Sequence, residues 1–547
     1  MFSNNGYSNV NKYEVLSMRY MLTLCCLCLA FTFGCAEKKT EIAKVDEVKQ
    51  IPITSESSEI KKLMRVFLKN QEEYRYGENK DLIRRILDLD PDCILAIAFD
   101  TWTPRDERVS VLKNALDRLD SVSELEAGIV KAAYFAVTER NYSAADEIID
   151  DLIVNFPGYY QLMLISADYK GRNRNAEGMS NRYKEAKQIN PDSFAAYFRL
   201  ALMHFPTNVN WNSGITERKL PSHERDLNEA ERLLMVAQKL EPTNPAPRLF
   251  MSHLYRTKGN LDQALAAVEE AAQLATDENS ALKAELKAAG ARTLVFLNDY
   301  DGARKAYEEA IDITESVSLK RDLLIQKAST HLFERNFDQA IKDLTDFKNY
   351  IKTSEQGSEL FKLNNLRRAE WLKQRTFTFA RNREGAEKSA KATDDYSEAI
   401  MDLSTESFNE EMLKIREYEE KVYSKLRRIW LSLRFSDFES ARQQLALFKP
   451  LVVDGEPRWG LRNFHSASAY LKLMEGDAEG ALESYSQITS EGLGRDVMTK
   501  YFFALAKKAN GDLDGSKRFL EEITTNYSVT WQVGLVRNLA LDQLAKW

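Results

Sequence analysis

The chain has 547 residues and a formal net charge of −7, from 76 Lys and Arg against 83 Asp and Glu. This near balance provides no general basic field and no acidic tail, so we expect no nucleic-acid partner. Gly (22) and Pro (12) are scarce, while Ala, Leu, Glu, Lys and Arg dominate, as in long stretches of helix. The length allows several domains or one repeat array, and the composition favours a mostly α-helical array.

An apolar segment, MLTLCCLCLAFTFGC, lies near the N-terminus at Met21–Cys35. Its apolar run of about fourteen residues is too short to span a bilayer core of roughly 30 Å, but it fits the core of a secretory signal peptide. The residues before it lack the basic start of such a signal, so Met18 and Met21 are alternatives to Met1 as the start of translation. The segment predicts an exported protein.

The end of this segment, FTFGC, resembles the lipobox of bacterial lipoproteins, in which a small residue precedes a diacylated Cys. Gly34 and Cys35 match, whereas Thr32 and Phe33 depart from the motif. The resemblance implies a signal peptide over residues 1–35, lipidation of Cys35 and a lipid anchor in the cell envelope, on the periplasmic side or the cell surface. An ordinary signal or an uncleaved anchor is the alternative. We expect residues 36–59 to form a polar tether.

From about residue 140 onward, short segments share a polar turn, an Ala, a bulky apolar residue four positions on and another apolar residue three further. The clearest are GNLDQALAAVEEA (259–271), NDYDGARKAYEEA (298–310) and RNFDQAIKDLTDF (335–347). The anchoring alanines are Ala145, Ala230, Ala264, Ala303, Ala340, Ala441 and Ala481. Because alanine has a short side chain, we expect a second helix to lie close to each of these positions.

These residues resemble the tetratricopeptide repeat, a helix–turn–helix unit of about 34 residues. The resemblance implies an all-α fold, a right-handed α-solenoid of about nine to eleven hairpins. We expect arrays over 60–352 and 421–547, and an irregular helical joint over 353–420, where only DDYSEAI with Ala399 matches the pattern. The closing segment TWQVGLVRNLALDQLAKW is expected to be a capping helix of the second array.

The sequence carries none of the catalytic motifs sought: no phosphate-binding glycine loop, no nucleophile elbow and no HExxH pair. Its carboxylates alternate with Lys and Arg at helical spacings, which is typical of solvated, ion-paired faces. We therefore predict no catalytic residue, no metal site and no cofactor, and the chain is not expected to be an enzyme.

In the family that the repeats resemble, the first helices line a concave groove that holds an extended peptide or a partner helix. The candidate groove residues, carried over by position, are Phe198, Leu202, Leu249, His253, Arg256 and Arg292. Trp211, in an insertion between two helices, is a candidate aromatic anchor for a partner, or packs on its own repeat.

A basic stretch at 365–391 precedes an acidic stretch at 394–411. These stretches either pair with each other or offer a patch for an anionic partner.

The resemblance implies an envelope-associated, non-catalytic scaffold or adaptor for protein–protein contacts. The alternative is a surface lipoprotein that binds glycan or another nutrient ligand on the same scaffold. That function needs insertions rich in exposed aromatic residues, and only the Trp211 loop offers one.

Overall fold

The computed structural model describes residues 48–547 except 76–78, 207–218, 276–279, 355–356, 405–409, 454–458 and 489–495. The predicted signal peptide, Cys35, the first half of the expected tether (36–47) and Trp211 lie outside the described residues. In the described ranges the chain forms helices and turns and no strand. None of the helices in these ranges combines the length and hydropathy that a bilayer crossing requires.

The helices of the first half pair in chain order, each hairpin having a first and a second helix. The hairpins are α1 (Ser58–Glu72) with α2 (Asn79–Leu89), α3 (Ile94–Phe99) with α4 (Arg105–Leu116), α5 (Glu124–Tyr134) with α6 (Tyr142–Asn155), α7 (Tyr160–Arg172) with α8 (Ala176–Ile189), α9 (Phe194–Met203) with α10 (Leu227–Leu240), and α11 (Ala246–Thr257) with α12 (Leu261–Leu274).

The second half continues the same alternation and ends in a single helix. Its elements are α13 (Ser280–Phe296) with α14 (Tyr300–Ile313), α15 (Val317–Phe333) with α16 (Phe337–Thr353), α17 (Glu359–Phe379) with α18 (Arg383–Ser404), α19 (Glu410–Arg434) with α20 (Phe438–Val453), α21 (Trp459–Met474) with α22 (Ala478–Ser486), α23 (Val497–Ala509) with α24 (Leu513–Thr524), and α25 (Trp531–Leu544). The described part of the chain thus holds twelve hairpins, more than the nine to eleven expected.

The anchoring alanines lie where paired helices meet. All seven, from Ala145 to Ala481, are fully buried. Tyr307 and Tyr485 are fully buried as well, on the same second helices as Ala303 and Ala481. The alanine methyl groups lie where the two helices come closest, and the tyrosine rings fill the space beside them, so the side chains of the two helices interdigitate. The predicted all-α, right-handed solenoid of hairpins is confirmed.

Nine of the twelve described hairpins share one turn geometry, a left-handed residue followed by an Asn or Asp at the start of the second helix. In α21–α22, Gly476 has φ 88°, and the next residue, Asp477, accepts a hydrogen bond from the Gly480 N–H at 2.8 Å. The Asp477 N–H donates to the Lys472 carbonyl, which closes the C-terminal end of the first helix. This turn therefore caps both of its helices with residues adjacent in sequence.

The region expected to be an irregular joint, 353–420, contains a regular, longer hairpin, α17–α18. Asn382 follows the left-handed Arg381 and accepts from the Gly385 N–H at 2.8 Å. Ala386, four residues after this cap, is fully buried in the anchoring position, whereas the expected Ala399 is only half-buried. The repeat pattern thus runs through this region, displaced by thirteen residues from the match found in the sequence.

The basic and acidic stretches of this region pair mainly with neighbouring helices. Lys348 of α16 lies 2.5 Å from Glu370 of α17, and Arg427 of α19 contacts Asp394 of α18. These two ion pairs join successive helices.

Candidate interaction site

The first helices α5 to α17 present one continuous surface, which we call the inner face. The candidate groove residues lie on successive first helices of this face: Phe198 and Leu202 on α9, Leu249, His253 and Arg256 on α11, and Arg292 on α13. All except Arg292 are buried, and the Arg292 side chain is only 13% exposed. The structure thus differs from the expected open groove. Phe198 and Arg256 contact distant parts of the chain, and Leu249 packs in the core between α12 and α13.

A buried polar cluster lies on α11, α13 and α15. Arg292 Nη1 is 2.5 Å from Glu285 Oε1, and Arg292 Nε donates to Gln326 Oε1 at 2.7 Å. Arg256 Nη2 lies 3.1 Å from His253 Nδ1, and His253 Nε2 lies 3.8 Å from Glu285. These five residues, the inner-face cluster, place two guanidinium groups beside one carboxylate. The cluster therefore carries excess positive charge.

The charges of this cluster perturb one another. Burial and, secondarily, the charge of the neighbouring Arg292 together lower the pKa of Arg256 to about 10. Burial, with Arg256 and Arg292 adding to it, holds the pKa of His253 well below its usual value, so its imidazole is neutral at pH 7. Burial opposes the charge of Arg292, but Glu285 outweighs it and raises the Arg292 pKa. At pH 7 the cluster thus contains two charged arginines, one carboxylate and a neutral histidine.

Residues 48–75, the N-terminal cover, lie on the inner face from α5 to α11. The Tyr74 ring packs edge-on against Phe198, with centroids 4.7 Å apart. The Asn244 side chain donates to the Glu73 carbonyl at 2.6 Å. Glu72 accepts from Tyr160 Oη at 2.6 Å, and burial raises its pKa although this bond lowers it. These contacts cover the Phe198 end of the expected groove.

The first residues of the N-terminal cover run as an extended strap. The Lys49 N–H donates to the Gly158 carbonyl at 3.1 Å, and the Ile51 N–H donates to Gln161 Oε1 at 2.9 Å. The Thr54 N–H donates to Glu126 Oε1 at 2.8 Å. Ile51 and Ile53 are buried, so residues 48–57 are docked, in contrast to the free polar tether expected over 36–59.

Residues 527–544, the C-terminal cover, lie on the inner face from α11 to α17. Arg256 Nε donates to the Tyr527 carbonyl at 3.1 Å, and the Trp531 indole N–H donates to Thr376 Oγ1 at 3.1 Å. A Cβ built at Gly534 would lie 2.8 Å from the Leu332 side chain, so glycine permits this close approach. The expected capping helix, α25, therefore also covers the middle of the solenoid.

Sequence reasoning missed the two covering tyrosines, Tyr74 and Tyr527. Neither stands in a repeat motif, and their partners lie more than 120 residues away in the chain. A contact of that kind leaves no periodic pattern by which it could be found. No group of three or more His, Cys, Asp or Glu suited to hold a metal occurs among the described residues.

A family model described as a tetratricopeptide repeat matches residues 290–316, the end of α13, the following turn and α14. The match and the fold support a tetratricopeptide-repeat protein. Such repeats form scaffolds that bind proteins or peptides on stacked first helices. No curated protein sequence matches the chain.

Several solved tetratricopeptide-repeat and related structures are similar to the chain. YrrB, titled a TPR protein with an unusual peptide-binding site, has 15% identity and a TM-score of 0.23, covering 40% of this chain and 93% of its own. A human IFIT1 dimer with PPP-AAAA has 14% identity and a TM-score of 0.36, and the match covers 79% of this chain and 94% of the IFIT1 chain. The apo form of the quorum sensor NprR from B. thuringiensis has 15% identity and a TM-score of 0.36, and the match covers 68% of this chain and 99% of NprR. These TM-scores are too low to bear on function.

Proposed function

We propose that the protein is a non-catalytic scaffold of the bacterial envelope, held by a lipid on Cys35, that binds protein partners on its inner face. The observation that carries the proposal is the strap, because the inner face holds an extended segment of the protein's own chain. A partner that presents an extended segment or an amphipathic helix would be bound by the same kinds of contact.

The strap contacts recognise backbone more than side-chain identity. Gln161 and Glu126, on α7 and α5, accept from the N–H groups of Ile51 and Thr54. The two isoleucines of the strap, at alternate positions, insert their side chains into the core. Backbone hydrogen bonds combined with pockets for alternate side chains are the general means by which extended peptides are bound. The inner face is therefore equipped to bind polypeptide.

Site-specific cross-linking tests the scaffold function. Arg368 on α17 is 46% exposed and its Nη1 lies 3.2 Å from Asp322 of α15, so it marks the inner face. Leu447 on α20, a second helix, is 69% exposed and serves as the control. p-Benzoylphenylalanine at position 368 of the full chain should form adducts with a protein in membranes, and the same probe at position 447 should not. Equal labelling at both positions, or glycan binding with no protein adduct, would contradict the scaffold function.

The lipid anchor is tested separately. The Cys35→Ser variant should lose the acyl mass from its N-terminal peptide in mass spectrometry, and it should leave the membrane fraction. A Cys93→Ser variant is the matched control, because Cys93 is buried in the folded body. Unchanged membrane partitioning of Cys35→Ser would refute lipidation without bearing on the inner face.

A further inference from the structure

A cavity of about 360 Å³ lies between α25 and the C-terminal ends of the first helices α15, α17, α19, α21 and α23. Three arginines line it: Arg335, Arg381 and Arg434. The rest of its wall is mostly aromatic and aliphatic, and no Asp or Glu is found among the described lining residues. The cavity therefore combines a positive end with apolar walls.

Arg434 is set in an aromatic cage. Its guanidinium lies 4.6 Å from the Phe379 ring centroid, 5.5 Å from that of Phe502 and 6.0 Å from that of Tyr470. Its Nη1 donates to Tyr470 Oη at 3.3 Å, while its Nε is buried without a hydrogen-bond partner. A buried N–H of a charged group costs free energy unless it is hydrogen-bonded, so the hydrogen-bonding capacity of the Arg434 guanidinium is only partly used within the described chain.

The neighbouring charges do not neutralise this end of the cavity. None of the ion pairs among the described residues involves Arg381 or Arg434; Arg381 Nη1 donates to the Arg434 carbonyl at 2.5 Å. Arg335 is paired with Asp542, 2.7 Å away. Behind the wall, burial lowers the pKa of Arg375, and the charge of Arg434 lowers it further although Asp496 raises it. The local field is positive in a chain whose net charge is −7.

We propose that this cavity binds a small organic anion, a carboxylate carried on an aromatic body. Guanidinium groups bind carboxylates through paired, charge-assisted hydrogen bonds, and Arg381 and Arg434 have unpaired charge to offer. The aromatic body would lie against Phe379, Tyr470 and Phe502, which enclose Arg434. A volume of about 360 Å³ is at the lower end of the range for small-molecule sites, which fits a ligand of this size.

The site is independent of the proposed scaffold function, since ligand binding is measured on the purified full chain without a partner. Its wall includes Leu535 and Leu539 of α25, so the bound anion would contact the C-terminal cover. Failure of the anion to bind leaves the cross-linking result at position 368 unaffected, and the reverse also holds.

Calorimetric titration with 4-phenylbutyrate and its uncharged amide, 4-phenylbutanamide, tests the proposal. The acid should bind at least about ten times more tightly than the amide, since the charged group supplies the recognition. Arg434→Met, which keeps an apolar stem, should weaken binding of the acid at least about tenfold. Phenyl phosphate distinguishes the two anion classes: tighter binding of the phosphate than of the carboxylate would overturn the carboxylate assignment.

Arg428→Met is the matched control, because Arg428 lies on the same helix, α19, and is 69% exposed. Its affinity for 4-phenylbutyrate should stay within about twofold of the wild type. If Arg434→Met does not fold, Arg381→Gln removes a second lining charge from an exposed side chain and should weaken binding of the acid by a similar factor. Equal binding of acid and amide, equal effects at 434 and 428, no effect of Arg381→Gln, or no saturable binding would each overturn the proposal.

Discussion

The turns of the hairpins are held by contacts between residues close in sequence. The covers of the inner face are held by contacts between residues far apart in sequence. In a turn, Asp477 accepts from Gly480, three residues away. In the C-terminal cover, Arg256 donates to Tyr527, 271 residues away. A solenoid held only by neighbouring contacts unfolds in parts, because each repeat interacts with the next one alone. The covers join distant repeats, so we expect this solenoid to unfold more cooperatively than an open one.

The largest expected effect is at the C-terminal cover. Trp531→Ala removes a buried ring and its hydrogen bond to Thr376 Oγ1, which should lower the free energy of unfolding by about 3–5 kcal/mol. Urea unfolding followed by circular dichroism should also show a broader transition. Trp547→Ala, at a residue that is 44% exposed, should change stability by less than about 0.5 kcal/mol. Equal losses in the two variants would show that the cover does not close the solenoid.

The N-terminal cover should open alone when its apolar contact is removed. Ile51→Ala is expected to weaken docking of the strap by about 2 kcal/mol, which corresponds to about thirty-fold faster exchange of the Thr54 amide hydrogen. Hydrogen exchange followed by mass spectrometry on peptides covering residues 49–57 measures this. Val48→Ala, at an exposed residue, should leave exchange unchanged. Unchanged protection in Ile51→Ala would mean that the hydrogen bonds to Gln161 and Glu126 suffice.

Acid should weaken the contacts of the inner-face cluster. The pKa of His253 is lowered in the folded protein, so its contribution to stability is present above about pH 6.5 and is lost as the pH falls below that value. Each pH unit below 6.5 should cost up to about 1.4 kcal/mol until the folded-state pKa is reached, because protonation would place a charge on a buried imidazole that also faces Arg256 and Arg292.

Urea unfolding from about pH 7 to pH 5 measures this loss. His253→Asn keeps an acceptor for Arg256 but does not titrate, so it should flatten the dependence of stability on pH. His223→Asn, at an exposed residue, is the control and should retain the wild-type slope. If both variants keep that slope, another group is responsible for the acid sensitivity.

The smallest effects are expected in the turns, where contacts are local. Arg174→Gly places glycine at φ 61°, a conformation that L side chains adopt at a cost, and should raise stability by about 0.5 kcal/mol. Gly511→Ala, at φ 82° with open space around the added methyl, should lower it by about 1 kcal/mol. Neither change should alter the width of the unfolding transition, which distinguishes the turns from the covers.

The range of the contacts also decides what could be predicted from the sequence. The buried alanines Ala264, Ala303 and Ala481 were predicted correctly because the cap, the turn and the helix pair that bury them lie within one repeat. The α17–α18 hairpin was missed although its Arg381–Asn382 turn has the usual residues, because Arg383 replaces the aromatic residue that follows such a turn. In addition Ala390, four positions after the anchor Ala386, replaces the bulky apolar residue of the pattern.

The inner-face residues were identified by their position in the repeat, but their environment was not. Phe198 and Arg256 lie on the first helices as predicted, yet whether they are open depends on Tyr74 and Tyr527. No local pattern in the sequence encodes those contacts. The lining of the arginine cavity is likewise assembled from five hairpins and α25, so only the folded chain brings Arg335, Arg381 and Arg434 together.

The strap gives the protein a defined response to mechanical load. A pull on the chain ahead of Lys49, as from a membrane-held N-terminus, would first act on the hydrogen bonds of Lys49, Ile51 and Thr54 to Gly158, Gln161 and Glu126. These bonds lie side by side along an extended segment, so tension would strain them together as a shear joint. Force would thus have to break these bonds together before it releases the strap and exposes α5 and α7.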